Sequence, residues 1–472
     1  MRPSRDDRDD RSKRSKRGGS NRARRAKPAT HGRASRRRDP ARAGPGTEPA
    51  RGQSRRNRRR AGRRTSLRAH NNMNTTTDGA VAGGEQESLW SLFRTVAGVS
   101  AVSWGGLAMM AQLERHYVER TGRLDAAAYA DLVALAWIVP GPVGCNVAIQ
   151  LGQALRGRVG AWLAGIASVL PFFVPMTLFA IFYRAPAVRS LAAPMLLHAF
   201  GMVLAALIGV TWRRQIRTLA AGPAERLVAA AATALLMAAH RPSAFVAILA
   251  GAFASGWFSS AARGAVPRPR LACAERLVLL ALAPLVVLFA LPLPDACEAR
   301  LLWLRLAGAG MTLFGGGFSA LPVLKALLVT PATGLSDSDF TLAFALSPVS
   351  PGPLLNVVPF LGYLMDGWRG ALLGTAALFI PSGCLVVLAQ RHLHRLRRSP
   401  RFEHGMRMLR AATTAFLAIA VVRILSGTPA APGYWAIGAL ACFAFARFGV
   451  PVYAVYGTVA AGCGGWLLLA AH

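Results

Sequence analysis

Two short segments of this sequence combine residues that break a helix with residues that can bind an anion. Residues 140–146 read PGPVGCN, and residues 351–356 read PGPLLN. Both segments lie inside apolar stretches, where a proline removes a backbone donor and ends the preceding helix. The helix that follows begins with free N–H groups and the positive end of its dipole, which favour an anion. The asparagine that ends each segment can donate a further hydrogen bond.

Glycine-rich segments precede both breaks and would let the backbone approach a ligand closely. For a single copy, prolines that only kink helices and glycines that only pack them would be the preferred explanation. Because the whole pattern occurs twice, we favour a binding site. The residues predicted to form it are Gly105, Gly106, Pro140, Gly141, Pro142 and Asn146 in the first half, and Gly315, Gly316, Gly317, Pro351, Gly352, Pro353 and Asn356 in the second.

The composition is that of a membrane protein. Of 472 residues, 53% are hydrophobic and only 16% are charged. Apolar runs such as 161–183 and 277–293 recur along the chain, and a membrane helix needs roughly 20 apolar residues. The six cysteines are scattered, and the sequence contains no P-loop, GxSxG or HExxH motif. We therefore expect a protein that is not an enzyme, with no cofactor and no metal site.

Hydropathy and loop charge predict about 10–13 membrane spans with the N-terminus in the cytoplasm. Basic loops stay on the cytoplasmic side, and the strongest are 213–217, 263–276 and 391–410. In the thirteen-span version the segments are 92–112, 131–153, 158–183, 190–212, 224–239, 243–258, 273–292, 300–323, 341–365, 369–390, 408–425, 431–447 and 450–471.

The sequence also contains an internal repeat. Trp104-Gly105-Gly106 aligns with Phe314-Gly315-Gly316, and segment 124–129 aligns with 335–340. In the span count, the two copies have opposite orientations in the membrane, a recurrent architecture of secondary transporters. The predicted fold is an all-α polytopic membrane protein made of two inverted repeats of about six helices, joined by a connecting helix. The predicted divisions are an extension at 1–88, a first repeat at 89–260, a linker with the connecting helix at 261–299 and a second repeat at 300–472.

The first 70 residues differ from the rest of the chain. They hold 26 Lys or Arg and 6 Asp or Glu and almost no large apolar side chain. Such a segment cannot bury a core and is predicted to be disordered. A basic arm can bind nucleic acid, so a membrane-anchored nucleic-acid-binding protein is the alternative function of a different class. Met73 would be an ordinary start just before the first span, which favours a dispensable arm.

A few charged residues fall within or near the predicted spans. Charges in such positions often couple or gate transport, although most pair or reach the interface. The candidates are Glu114, Asp131, Lys325 and Arg423, together with Asp339.

With these motifs in place, the sequence resembles the chromate ion transporter family in its long, two-domain form. The matching stretches are GGLAMMAQLERHYVER, PGPVGCNVAIQLGQALRGRVGAWLAGIASVLP, FGGGFSALPVLKALLV and SPGPLLNVVPFLGYLMDGWRGALLGTAALFIPS. The resemblance implies a carrier, linked to the proton motive force, that exports chromate across the bacterial cytoplasmic membrane and confers chromate resistance. Sulfate or another oxyanion remains an alternative substrate, because sulfate is also a tetrahedral dianion. The partners expected are the oxyanion, the lipid bilayer and a second copy of the chain, with no nucleic acid at the membrane domain.

Overall fold

A computed structural model describes most of the chain after residue 86, namely residues 87–185, 194–238, 241–259, 272–314, 316–397 and 399–470. These residues form helices and turns without a β-strand, which confirms the all-α membrane fold. Four of the described helices are long and apolar enough to cross a membrane. The arm predicted at 1–88 lies outside the described residues except for its last two positions, and so does Gly315.

The first half of the described chain contains seven helices. They are α1 (Leu89–Ala101), α2 (Gly106–Glu114, continued by a π-helical turn at Arg115–Arg120), α3 (Ala126–Ala136), α4 (Val143–Arg184), α5 (Pro194–Leu219), α6 (Pro223–Ala238) and α7 (Pro242–Trp257).

The second half repeats this order after one connecting helix. The described elements are α8 (Cys273–Ala290), α9 (Asp295–Arg300), α10 (Leu302–Gly310), a 3₁₀ turn (Gly317–Ser319), α11 (Ala320–Leu328), α12 (Asp337–Leu346), a second 3₁₀ turn (Leu354–Asn356), α13 (Val357–Arg397), α14 (Pro400–Ser426), α15 (Pro432–Phe443, continued by a π-helical turn at Ala444–Phe448) and α16 (Val452–Ala470).

The long helix α4 is a hairpin of two arms. Arg156 and Gly157 have non-helical backbone angles, and the φ of Gly157 is 61°. A Cβ atom on Gly152 would collide with the carbonyl of Gly160, and a Cβ atom on Gly160 would collide with the carbonyl of Gly152. Residues eight apart in a straight helix would be about 12 Å apart. The chain therefore turns back at Gly157, and glycines let the two arms pack backbone to backbone.

Helix α13 has the same construction. Its reversal lies at Asp366 and Gly367, where the φ of Gly367 is 55°. Gly362 and Gly370 lie in backbone contact across the turn, just as the glycine pair of α4 does. Each half thus has a short arm, which begins at a Pro-Gly-Pro break, and a long arm, which is the membrane-spanning part. The long arm of α4, at 158–184, is about 40 Å long at 1.5 Å per residue.

The elements before each long arm fold back on themselves. The Tyr117 hydroxyl, just after α2, donates to the Glu87 carboxylate before α1 at 3.3 Å. The Gln150 amide of α4 donates to the carbonyl of Leu132 in α3 at 3.2 Å. Leu132 and Gln150 would be about 27 Å apart in one straight helix. Segments 92–112 and 131–153 are therefore hairpins, which differs from the continuous spans predicted for them. The predicted spans 300–323 and 341–365 are likewise interrupted, between α10 and α11 and between α12 and α13.

The two halves have opposite directions. At the far end of α4 from Gly157, the Arg184 guanidinium lies 5.6 Å from the ring centroid of Tyr363. The neighbouring Tyr183 hydroxyl donates to the Asp339 carboxylate at 2.8 Å. Tyr363 is one turn before the Gly367 reversal, so the Gly157 and Gly367 turns lie at opposite ends of the long arm of α4. This contact geometry is that of an inverted repeat.

The core lies where the halves meet. One continuous cluster of buried apolar side chains includes residues from α4 to α7 and from α10 to α14. Phe172 of α4 and Phe379 of α13 contact each other there, with ring centroids 5.4 Å apart. Between the two long arms lies an apolar cavity of about 520 Å³, lined by side chains such as Trp162 and Ile380. Its apolar lining does not suit an oxyanion.

Candidate functional site

The Pro-Gly-Pro break of the second half is bonded to the glycine-rich break of the first half. The Gly352 N–H donates to the Ser103 carbonyl at 2.8 Å, and the Gly105 N–H donates to the Gly352 carbonyl at 3.0 Å. Trp104, between them, forms an isolated parallel bridge with Gly352. These bonds satisfy backbone groups that a broken helix leaves free inside an apolar core.

The reciprocal contact joins the other two breaks. The Gly141 N–H donates to the Leu313 carbonyl at 2.8 Å. Gly141 lies 211 positions before Gly352, and Leu313 lies 210 positions after Ser103, so this bond is the repeat mate of the Gly352–Ser103 bond. The two pairs of breaks also touch, because a Cβ atom on Gly144 would lie 2.9 Å from the Cα of Gly106. The four breaks, at 103–106, 140–146, 313–314 with 316–319, and 351–356, therefore meet in one region, which we call the crossing.

Glycine is required at the crossing for two reasons. The φ angles of Gly141 and Gly352 are 116° and 101°, in a region that side chains disfavour. A Cβ atom on Gly352 would lie 2.7 Å from the Phe172 ring, and one on Gly141 would lie 2.6 Å from the Cβ of Ser382. Phe172 and Ser382 are themselves equivalent positions of the two long arms. Each break is thus pressed against the long arm of the opposite half.

The glycine pairing corrects the predicted alignment by one residue. Gly105 and Gly316 have matching φ angles, 90° and 108°, and each directly precedes a helical turn. Gly105 therefore corresponds to Gly316, and Gly106 corresponds to Gly317. The predicted pairing of Gly105 with Gly315 is wrong because the second half has one more glycine at this point.

Four helical segments begin at the crossing, and no side chain caps any of them. The residues at the cap positions are Gly105, Pro142, Gly316 and Pro353. A helix start leaves up to four backbone N–H groups without a partner in the helix. The crossing also contains no Lys, Arg, His, Asp or Glu. What it offers to a ligand is therefore backbone donors and helix dipoles, without a fixed positive charge.

Both predicted asparagines are fully buried at the crossing. The Asn356 amide donates to the Ser347 carbonyl at 3.0 Å, and the Asn146 amide donates to the Pro140 carbonyl at 3.4 Å. One N–H of each amide therefore fastens its loop to the preceding turn, a role that the sequence did not predict. The side-chain oxygens of both residues have no partner among the described residues. Each asparagine thus keeps one N–H and one oxygen for a ligand or water.

The structure places the predicted charged candidates in different surroundings. Lys325 and Arg423 line one cavity of about 310 Å³ with Asp337. Glu114 and Asp131 lie on exposed helix surfaces and do not line that cavity. Asp339 is buried and completes the capping box at the start of α12.

Two polar residues beside the crossing were not predicted from the sequence. Ser382 lies against Gly141, and its hydroxyl donates to the Phe379 carbonyl at 3.0 Å. Gln215 lies beside Gly316, with its amide nitrogen 3.9 Å from where a Cβ atom on that glycine would be. Gln215 stands in the arginine-rich stretch 213–217, which was predicted to be a loop; that prediction is wrong, because the stretch lies within α5. Ser382 follows Pro381, which lies 210 positions after Pro171 and matches it in the internal repeat. This position in the repeat was the one signal that could have pointed to Ser382.

Comparison with known proteins agrees with this architecture. The family model described as Chromate transporter matches twice, at residues 90–257 and 300–466. The chain belongs to the chromate transporter family. It is therefore a multi-pass membrane protein of a transporter family.

Three named relatives are similar to this chain over most of their own length. A protein named Chromate transport protein from Cupriavidus metallidurans is 27% identical over 69% of this chain and 80% of its own length. Another of that name, from Pseudomonas aeruginosa, is 25% identical over 80% of this chain and 92% of its own. An uncharacterized transporter from Methanocaldococcus jannaschii is 24% identical over 71% of this chain and 84% of its own length. No solved structure matches the chain.

Proposed function

We propose that this protein exports chromate across the bacterial cytoplasmic membrane, linked to the proton motive force, and so confers chromate resistance. The observation that carries the proposal is the crossing, where four uncapped helix starts from two inverted halves converge without any fixed cation. Such a site binds an oxyanion through backbone donors. It can also release the anion, because no permanent charge holds it. The choice of chromate as the substrate is supported by two relatives that are named chromate transport proteins.

The orientation of the chain in the membrane is inferred from the charge of its loops. The Gly157 end of the molecule also holds the start of α8, where Glu275 pairs with His392 near the end of α13 at 2.8 Å. The arginine-rich stretches 263–276 and 391–410 adjoin these two positions. Basic loops stay in the cytoplasm, so this end faces inward and the Gly367 end faces outward.

Everted membrane vesicles containing the full chain test the proposal. Labelled chromate should accumulate in them when a proton gradient is imposed, and a protonophore should abolish the accumulation. Vesicles with the same amount of a Gly352→Val variant are the matched control, because that glycine cannot accept a side chain. Chromate uptake equal to that of the control would refute the proposal.

Sulfate is the second candidate substrate, because both ions are tetrahedral dianions. Uptake of labelled sulfate, measured in the same vesicles as uptake of labelled chromate, distinguishes the two candidate substrates. Accumulation of sulfate with an affinity above that of chromate would reassign the substrate and leave the transport mechanism in place.

The basic arm supports the alternative of another class, a membrane-anchored nucleic-acid-binding protein. A chain that begins at Met73 distinguishes it from a transporter. We expect this shorter chain to transport chromate like the full chain, and any binding of nucleic acid to be lost with the arm. Loss of transport on its removal would contradict a dispensable arm.

A further inference from the structure

A second cavity among the described residues, formed by helices of both halves, holds ionisable side chains that the crossing does not use. The cavity, of about 310 Å³, is formed by α6, α7, α11, α14 and the start of α12. Its ionisable lining consists of Lys325, Arg423 and Asp337. At about 30 Å³ per water molecule, the space is large enough for a small hydrated ion. We call it the vestibule.

The vestibule is at the outward end of the molecule as oriented above. Asp337 is the first residue of α12, and two residues later Asp339 bonds to Tyr183 at the Arg184 end of α4. That end is opposite to the Gly157 turn. From the vestibule, α11 leads inward from Lys325 to the Gly317–Ser319 turn at the crossing. Apolar side chains of Leu321, Pro322 and Ile419 form the wall on this path.

The two cations of the vestibule are not equally neutralised. The Lys325 ammonium pairs with the Asp337 carboxylate at 2.8 Å. Arg423 has no acidic partner among the described residues. It stands in the apolar run FLAIAVVRILSG, where an arginine is costly and usually serves a function. The lining thus carries two cations and one carboxylate, which gives an excess of positive charge.

The ion pair can be displaced. The side chains of Lys325 and Asp337 are 31% and 68% exposed, and exposed pairs contribute little to stability. When released, Asp337 would still lie in the first turn of α12, where the helix dipole favours a negative charge. A dianion that enters the vestibule can therefore replace Asp337 at Lys325 and be held by Arg423 from α14.

Resting on the proposed function, we infer that the vestibule is an outer binding site for the transported tetrahedral oxyanion, with Asp337 as a tethered competitor. Binding there is weak and rapidly reversible, because the carboxylate returns to Lys325 when the anion leaves. The first half lacks this arrangement. The residues 211 positions before Lys325 and Asp337 are Glu114 and Ala126. The site therefore belongs to the outward end alone.

Transport kinetics from both faces of the membrane test the inference. Right-side-out vesicles present labelled chromate to the outer face, and everted vesicles present it to the cytoplasmic face. We expect Lys325→Gln and Arg423→Gln each to raise the outer KM by roughly two- to fivefold, the size of a solvent-screened charge interaction. Asp337→Asn should lower the outer KM by a similar factor. All three should leave the cytoplasmic KM unchanged.

The decisive result is that Lys325→Gln raises the outer KM whereas Asp337→Asn lowers it. If the ion pair were only structural, loss of either partner would have the same effect, so shifts of Lys325→Gln and Asp337→Asn in one direction would overturn the inference. Unchanged outer KM values would do so as well. Arg369→Gln is the matched control, because Arg369 is exposed beside the Gly367 turn and pairs with Asp366 outside the vestibule. It should leave the KM values at both faces as they are.

Equilibrium dialysis of chromate against the purified full chain separates this inference from the proposed function. If the chain transports nothing but binds chromate, and Lys325→Gln/Arg423→Gln lowers that binding, the outer site stands and the proposed transport fails. If the chain transports chromate and none of the three variants shifts the outer KM, the proposed function stands and the vestibule inference fails. If no chromate binds and none is transported, both fail.

Discussion

Three helix starts at the surface of this protein have side-chain caps, unlike those at the crossing. Ser88, Asp125 and Ser336 each accept a first-turn N–H at 3.1 Å, and all three are exposed. The four starts at the crossing have glycine or proline at the cap position and no side-chain cap. Water could satisfy an uncapped start at the surface, but it is scarce in an apolar core. Side-chain caps are thus present at three starts that water can reach and absent at the four starts of the crossing.

This difference indicates what the crossing is for. A serine or aspartate cap contributes about 0.5–2 kcal/mol and would also fill the position that an anion needs. Glycine and proline leave that position open, at a cost in stability. Proteins keep such costs where the site must bind something else. The comparison predicts that changes at the crossing affect transport, whereas changes at surface caps affect stability alone.

The largest effect is expected from a side chain on Gly352. Gly352→Ala should lower the chromate uptake rate at least a hundredfold, because Cβ would press on the Phe172 ring and the φ of 101° is strained. Gly334→Ala is the matched control, since its φ is also positive, 68°, but nothing lies near its Cβ position. Initial rates per amount of protein in the membrane give the measurement. Equal losses in both variants would mean that backbone strain, and not the closeness of the two halves, matters.

The second-largest effect is expected from the loss of one of the two buried asparagines at the crossing. Asn356→Ala should weaken chromate binding about tenfold to more than a hundredfold, since a hydrogen bond to a charged group contributes roughly 1.5–3 kcal/mol. Asn146→Ala should have a smaller effect, because its bond to the loop, at 3.4 Å, is longer than the 3.0 Å bond of Asn356. The KM in everted vesicles measures both. Normal KM values in two normally inserted variants would remove the asparagines from the site.

The prolines should matter less than the glycines beside them. Pro142 and Pro353 have extended backbone angles that alanine also adopts. The preceding Gly141 and Gly352, with positive φ, already interrupt the helix. Pro142→Ala and Pro353→Ala should therefore change chromate uptake by less than about fivefold, or roughly 1 kcal/mol, because the backbone geometry of each break is kept. A loss as large as that of Gly352→Ala would show that the prolines create the break.

The sequence predicted the crossing better than it predicted the path of the chain through it. Repeated Pro-Gly-Pro motifs located both breaks, because proline and glycine act through local backbone geometry. Residues 92–112 were predicted as one span, since hydropathy does not register a reversal within four residues at 102–105. The bond from Gly352 to Ser103 spans two halves of the chain, and no local pattern encodes it. The role of Asn356 in fastening its loop depends in the same way on where Ser347 lies.

The smallest effect is expected at a surface cap, and it completes the comparison. Ser336 accepts the Asp339 N–H, and the Asp339 carboxylate accepts the Ser336 N–H in return. Ser336→Ala removes one of these bonds and should lower the free energy of unfolding by about 0.5–2 kcal/mol, as cap losses do. Thermal unfolding of the purified chain would then shift downward by a few degrees at most. The KM for chromate at the cytoplasmic face should not change, because the start of α12 lies one whole helix away from the crossing. A raised cytoplasmic KM in Ser336→Ala with normal unfolding would reverse the assignment, since the surface cap would then act on the ligand at the crossing and the distinction between the two kinds of helix start would be lost.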